Sequence, residues 1–308
     1  MQGAFRLPAI SSGGGMTLRN RKLTGYLFIA PSFIGMTVFM LIPFVLAVVL
    51  SFAEWNHLQG LSTMDFVGLD NYIRAFSDKW FLSSLHNNLI YSFVGVPISV
   101  MLALFVAVFL KDRVYLKKVL RALYFFPYIT NGLAVYYVWM LLYQPKNGLI
   151  NMVLSSLGVV NLPNWLMSTD WSLPALIIIN IWATIGYNVI IYIANIQNIS
   201  SDVYEAGEID GATGWQKFRY ITFPLLTPST FFLLTTGIIT SFKVFGIVAA
   251  LTQGGPVRAT SVIAYYAYVT AFRYYDMGYA SAMSTMLFLM ILAVTLIQWK
   301  LQNKWVHY

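Results

Sequence analysis

EAGEIDGATGWQKFRYITFPLLTP, residues 205–228, is a polar, glycine-punctuated stretch between two long apolar runs. Glu205, Glu208, Asp210, Lys217 and Arg219 gather here in a chain that is 58% hydrophobic and only 10% charged. A soluble domain carries about 25% charged residues, so the surroundings read as a polytopic membrane protein. Charges concentrated between two spans, beside regularly spaced apolar positions, point to a surface on which another protein docks. The plainer alternative is a solvated loop.

The spacing within the stretch predicts two short helices. Asp202 and Glu205 stand at capping-box distance, with Val203 and Ala206 on one face. Gly211 ends that helix, because glycine takes a positive φ without steric cost. Thr213 and Gln216 repeat the capping-box spacing, and Trp215, Phe218 and Ile221 follow at helical intervals. Pro224 marks the start of the next span, where a proline suits the first helical turn. Gly207 and Gly211 mimic a small-xxx-small dimer motif, but the surrounding charges make that a coincidence. The expected product is a stubby helical knob with an acidic residue at its tip.

Outward from the loop, six runs approach the about 20 apolar residues needed to cross a bilayer. They lie at roughly 26–50, 87–110, 121–143, 172–197, 225–252 and 278–299. The fourth is interrupted by Asn180, Asn188 and Asn195, and Pro31, Pro43, Pro97, Pro127 and Pro174 lie in or near spans. With the N-terminus inside, thirteen of the nineteen Lys and Arg fall inside and five outside, while Lys243 lies within the fifth span. The positive-inside rule therefore places both termini and the 198–224 loop in the cytoplasm. The organisation expected is a cytoplasmic tail at 1–25, a membrane domain at 26–299 and a short cytoplasmic C-terminus at 300–308. No small-residue cleavage site follows a short apolar core, so the first span reads as an anchor.

The order Glu205-Ala206, Asp210-Gly211-Ala212, Gly214, Phe218, Ile221, Pro224, Pro228 closely resembles the cytoplasmic EAA loop of ABC-importer permeases. It departs from the usual pattern at Gly207 and Phe223. Other segments resemble the carbohydrate-importer permeases of the maltose type. These are Phe66-Val67-Gly68-Leu69-Asp70-Asn71-Tyr72, Phe126-Pro127-Tyr128, Leu251-Thr252-Gln253-Gly254-Gly255-Pro256, Ala271-Phe272-Arg273-Tyr274 and Met277-Gly278-Tyr279-Ala280-Ser281-Ala282. The resemblance implies an all-α membrane protein of six transmembrane helices, with the type I ABC importer permease fold and a coupling-helix loop. It also implies partners: a second homologous permease in a heterodimer, an ABC ATPase dimer docking on the loop, and an extracellular sugar-binding protein. ATP and Mg would sit on the ATPase, with no cofactor bound directly. This chain resembles the counterpart of the larger maltose permease subunit. By the same resemblance, Glu205, Ala206, Asp210, Gly211, Ala212 and Gly214 would meet the ATPase in a bacterial cytoplasmic membrane. Tyr128, Asn180 and Ser241 would face the sugar.

Ionisable and polar groups inside a membrane mark pathways by default. Lys243 either snorkels to the outer interface or faces a watery cavity, donating to sugar hydroxyls or to a carboxylate. Asn180, Thr184 and Asn188 share a helical face by their four-residue spacing, as a path lining or as helix–helix hydrogen bonds. No Asp or Glu falls inside a span, which argues against a proton-coupled carrier. An ATP-independent transporter or an intramembrane enzyme would need a carboxylate, or a His cluster, at membrane depth. His57, His86 and His307 are scattered, there is no cysteine, and neither a P-loop nor a G-x-S-x-G motif appears. The net charge of +8 follows the membrane sidedness and does not indicate nucleic-acid binding. Within the importer class, glycerol-phosphate-like and acidic oligosaccharide substrates stay open.

Overall fold

The computed structural model describes residues 18–60, 63–112 and 117–306. Most of the expected N-terminal tail, together with Arg113 and His307, lies outside them. The chain divides into two compact units, Met1–Val49 and Leu50–Tyr308. In the first, α1 (Leu18–Met36) passes through a π-helical turn, Thr37–Leu41, into α2 (Ile42–Leu50). Tyr26–Leu50 is long and apolar enough to span.

The second unit opens on a two-stranded antiparallel ribbon, β1 (Ala53–Glu54) with β2 (Asp65–Phe66), followed by α3 (Asp70–Ser77). Its long helices are α4 (Lys79–Asp112), α5 (Lys117–Ile129) and α6 (Gly132–Leu142). After the short α7 (Leu149–Ser156) comes α8 (Ser172–Gln197). The loop end carries α9 (Ser201–Ile209), α10 (Gly214–Lys217), a π turn at Phe218–Thr222 and α11 (Phe223–Leu225). The chain finishes with α12 (Thr227–Phe242), α13 (Gly246–Leu251), α14 (Ile263–Phe272) and α15 (Met277–Trp305). Among the described residues four helices could each cross a membrane, or up to six if two bent pairs count as one span apiece.

Those bent pairs are the third and fifth expected spans. α5 and α6 meet at 107°. The break is stabilised where Asn131 caps α6, its side chain accepting from the Leu133 N–H at 2.9 Å, while the Thr130 hydroxyl donates to the Phe126 carbonyl at 2.7 Å. The second pair bends by 59° at Leu226. Pro228 has no N–H for the Pro224 carbonyl, and the Thr227 hydroxyl takes it instead at 2.6 Å. The fifth span therefore opens at Thr227–Pro228 and not at Pro224. Each π turn ends two residues before a proline, Pro43 or Pro224. A proline cannot donate back one turn, and the widened turn absorbs the mismatch. The fifth span also stops early, at Phe242. Conversely, α4 begins eight residues before the expected 87, because the polar face of residues 79–86 packs on protein.

Helices in lipid gain little from mutual burial, so close approach and hydrogen bonds hold them. α4 is central, with α8 and α12 against it, α5 on α8 and α14 on α15. A Cβ on Gly186 would stand 1.8 Å from the Tyr124 carbonyl oxygen, so only glycine allows this crossing of α8 and α5. Polar stitches radiate from α4. Ser99 pairs with Thr184 at 3.0 Å and accepts from Asn188 at 3.1 Å. Ser92 accepts from Ser241 at 2.7 Å. Each such bond contributes roughly 0.6–2 kcal/mol.

The end opposite the loop is clamped by charge. Asp78 accepts from the hydroxyls of Tyr266 (2.5 Å) and Tyr279 (2.8 Å) and from the Trp80 N–H (2.7 Å). Burial pushes its carboxyl up, yet these hydrogen bonds prevail and hold it below the usual carboxylate range. Arg74 pairs with Asp276 at 2.7 Å and lies 4.0 Å over the Tyr279 ring. Asp276 in turn caps α15 through the Tyr279 N–H.

Candidate functional site

A half-open cavity of about 400 Å³ is lined by α4, α5, α6, α8 and α12 and the start of α13. Tyr128, Asn180, Thr184, Asn188, Ser241 and Lys243, the six path candidates, all line it. They come from three separate stretches, brought together by the crossing of α5 on α8 and of α12 on α4.

The six divide by what their polar atoms already do. Thr184 and Asn188 are bonded to Ser99, and Ser241 to Ser92, so these three tie α8 and α12 to α4. Tyr128, Asn180 and Lys243 have side-chain polar groups without an intramolecular partner among the described residues, and all three residues line the cavity. Along the Asn180 face, Thr184 and Asn188 make helix–helix hydrogen bonds, while the Asn180 side chain makes none among the described residues.

Lys243 owes its position to the break. It is the last cap of α12, with its N–H on the Thr240 carbonyl at 3.2 Å. The Phe242 carbonyl, freed by the helix end, accepts from the Asn88 amide at 3.2 Å, while the Asn88 carbonyl oxygen takes the Ile263 N–H at 2.8 Å. Fully buried Asn88 thus holds open the turn that aims Lys243. Among the described residues no carboxylate lines the cavity.

Sequence reasoning missed the aromatic wall. Tyr187 stacks on Tyr128 with centroids 4.8 Å apart and planes 19° off parallel, and Tyr91, Tyr136 and Phe245 complete it. Tyr187 was within reach, since it lies between Thr184 and Asn188. Tyr91 and Asn88 were passed over, although the Asn87-Asn88 pair at the start of the second span was a polar signal of the same kind as Asn180.

The loop is a second candidate site. Ser200, not Asp202, caps α9, its hydroxyl accepting from the Asp202 N–H. Asp202 is already helical there, so the expected Asp202–Glu205 box does not form; an acidic residue at that position instead complements the helix dipole. Gly211 ends the helix at φ +74°, with the Ala212 N–H on the Gly207 carbonyl at 2.8 Å. The Thr213–Gln216 box is present in both directions, at 2.7 and 3.3 Å. Gly207 is buried, and a Cβ there would meet the end of the Ile221 side chain at 3.1 Å, a tight contact that a few tenths of an ångström of side-chain movement relieves.

Lys217 bridges to Glu208 at 2.6 Å, and this hydrogen bond and charge hold the Glu208 carboxyl below its usual range. Glu205 is different: its carboxylate is exposed, without a partner among the described residues, and lines a cleft of about 570 Å³ with Tyr204, Glu208 and Lys217. Ala206, Asp210, Gly211 and Gly214 are exposed and Ala212 half-buried. Beside them Ile209 is 87% and Trp215 67% exposed, large apolar groups presented by a polar knob. Among the described residues no three His, Cys, Asp or Glu converge as a metal site.

Residues 72–306 match the family model of the binding-protein-dependent transport system inner membrane component. The chain is 33% identical to the probable ABC transporter permease protein YesP of Bacillus subtilis (strain 168) over 296 residues, covering 95% of this chain and 94% of that protein. It is 34% identical to the trehalose/maltose transport system permease protein MalF of Thermococcus litoralis over 285 residues, covering 92% and 94%. The fold is similar to a chain of a bacterial ABC transporter involved in the import of the acidic polysaccharide alginate. That likeness has a TM-score of 0.80 over 92% of this chain and 96% of the other at 22% identity. The chain belongs to the family of binding-protein-dependent transport system inner membrane components, and it is a multi-pass, non-catalytic permease subunit of an ABC importer.

Proposed function

We propose that this permease carries a sugar or oligosaccharide across the bacterial cytoplasmic membrane through the cavity lined by Tyr128, Asn180 and Lys243. The observation that carries the reading is the convergence of unpaired hydrogen-bonding groups and stacked tyrosines on one intramembrane cavity. Aromatic faces suit the C–H surfaces of a sugar ring, and amide and ammonium groups suit its hydroxyls. Thr184, Asn188 and Ser241 shape the wall while holding the helices together. The names of relatives such as the trehalose/maltose permease support the substrate class.

The chain supplies one half of the path. A second, homologous permease completes it, an external sugar-binding protein delivers cargo, and an ATPase dimer holds ATP and Mg. In this heterodimer the chain takes the place of the larger maltose permease subunit, with both termini cytoplasmic. The ATPase docks on the knob, where Glu205 receives a basic side chain and Ala206, Asp210, Gly211, Ala212 and Gly214 form the contact surface with Ile209 and Trp215.

Lys243 favours a second reading, in which the cargo bears a phosphate or carboxylate, as in a glycerol phosphate or an acidic oligosaccharide. Lys243 lines a cavity that has no carboxylate among the described residues.

The test is affinity purification of the tagged chain from its native membranes in mild detergent. A second permease and an ATPase should accompany it, with cargo-stimulated hydrolysis lost in Glu205→Lys while membrane insertion is kept. A chain that purifies alone, or a Glu205→Lys variant with normal uptake, would overturn the docking assignment.

A further inference from the structure

Among the described residues four tyrosine side chains are fully buried, Tyr91, Tyr143, Tyr192 and Tyr279. Three of them have a partner within the chain. The Tyr143 hydroxyl donates to the Ala175 carbonyl at 3.2 Å, Tyr192 pairs with Thr230 at 2.9 Å, and Tyr279 donates to Asp78 at 2.8 Å. Tyr91 is the exception: it is 1% exposed, yet its hydroxyl makes no hydrogen bond among the described residues. A buried polar group left unpaired is costly, and native structures keep few of them. The Tyr91 oxygen is not among the wholly enclosed unpartnered atoms, so the sliver of surface left to this residue belongs to its oxygen. Of the four tyrosines, only Tyr91 lines the cavity.

Its mounting is rigid. On α4, Asn88 stands three residues before Tyr91 and Ser92 one residue after it. Asn88 donates to the Phe242 carbonyl at 3.2 Å, and Ser92 accepts from Ser241 at 2.7 Å. Both anchors grip α12 within two residues of Lys243, so they register Tyr91 against the end of α12 that Lys243 caps. The ring belongs to the buried apolar cluster of Leu176, Ile177, Ile247 and Val248. Close packing of that kind holds the hydroxyl at a fixed point. We propose that Tyr91 is a specificity-determining residue of the cargo path, its hydroxyl placed to hydrogen-bond one particular hydroxyl of the sugar. The inference rests on the sugar-importer reading above. A site built to bond a hydroxyl rejects an analogue that lacks it, because the site's own polar group is then left unpaired.

Tyr91→Phe keeps the ring and removes an oxygen that no residue of the chain bonds. The detergent-purified transporter carrying it should melt at or above the parent temperature. Tyr192→Phe, which breaks the Thr230 bond away from the cavity, should melt lower. The whole transporter with its binding protein, in proteoliposomes, is then given maltose, trehalose and lactose, and the monodeoxy analogues of whichever is imported fastest. For one analogue, the ratio of import rates, full sugar over analogue, should fall about tenfold in Tyr91→Phe. For the other analogues, and for every analogue in Tyr192→Phe, the ratio should stay as in the parent. The binding protein is common to all three preparations, so its own preference cancels. An equal loss for every analogue with a lower melting temperature would place the hydroxyl's partner in the second permease. Unchanged rates and ratios would leave the hydroxyl to water. Either result overturns the proposal. Asn180→Ala, assayed alongside, separates the two levels of the reading. If it slows import while Tyr91→Phe changes nothing, only the role of Tyr91 is wrong; if both change nothing, the cavity reading fails as well.

Discussion

Gly186→Ala tests the packing that forms the cavity. In an isolated helix the substitution would help, since alanine is favoured over glycine by about 1 kcal/mol. In this structure the new Cβ meets the Tyr124 carbonyl oxygen at 1.8 Å and its carbon at 2.5 Å, both backbone atoms of α5. A rotamer change cannot relieve a clash with backbone, so α5 has to retreat from α8 by more than 1 Å to reach even a tight contact. Overpacking of this kind costs about 1–3 kcal/mol. The retreat also separates Tyr128 from Tyr187, a stacked pair one turn along, forfeiting about 0.5–1.5 kcal/mol more. The net expectation is destabilisation by roughly 1–3 kcal/mol, with uptake falling more than the amount of inserted protein. Thermal unfolding in detergent and uptake into proteoliposomes of the whole transporter measure the two effects. Gly214→Ala, where a Cβ meets nothing within 4 Å, is the control for unfolding. A Gly186→Ala variant that melts higher than the parent and transports normally would refute the close crossing of α5 and α8.

Asn88→Ala should cost about 2–4 kcal/mol, because it strands a buried carbonyl and a buried N–H together. It should also lower transport by releasing the Lys243 turn; unchanged unfolding would remove Asn88 from its positioning role. Tyr128→Ala combined with Asn180→Ala should weaken apparent cargo affinity beyond the about 0.5–1.5 kcal/mol of stability lost with the Tyr128–Tyr187 stack, since neither polar group is bonded among the described residues. Wild-type affinity and rate would sink the cavity assignment. Because the Asp78 carboxyl is held below its usual value of about 3.9, the stability it contributes is present above that pH and is lost as pH falls through the lowered value. Melting temperature should therefore drop at acid pH in the parent and drop less in Asp78→Asn, and parallel acid profiles would count against the clamp.

Much of the site was legible because its signals are local. Asn180, Thr184 and Asn188 announce a shared face through helical spacing alone. The knob's Gly211 and Thr213–Gln216 devices act within a few residues of themselves. Errors in the reading are local too: a proline at 224 and an acidic residue at 202 each fit a helix start, but Thr227–Pro228 and Ser200 compete for those roles and fit better. The two broken spans escaped notice because a bend leaves hydropathy unchanged.

The amino-acid sequence by itself determined a multi-span membrane protein with a structured polar knob and a handful of intramembrane polar residues. Hydropathy and turn chemistry are properties of short segments. Only the tertiary structure decided which of those residues spend their polar atoms on a neighbouring helix. Thr184 is silenced by Ser99, 85 residues away, and Ser241 by Ser92, 149 away. Asn88 reaches across 154 residues to brace the turn at Lys243. Whether a buried polar group is a structural stitch or a binding group depends on what faces it, and the facing helix is set by packing, which no local pattern encodes.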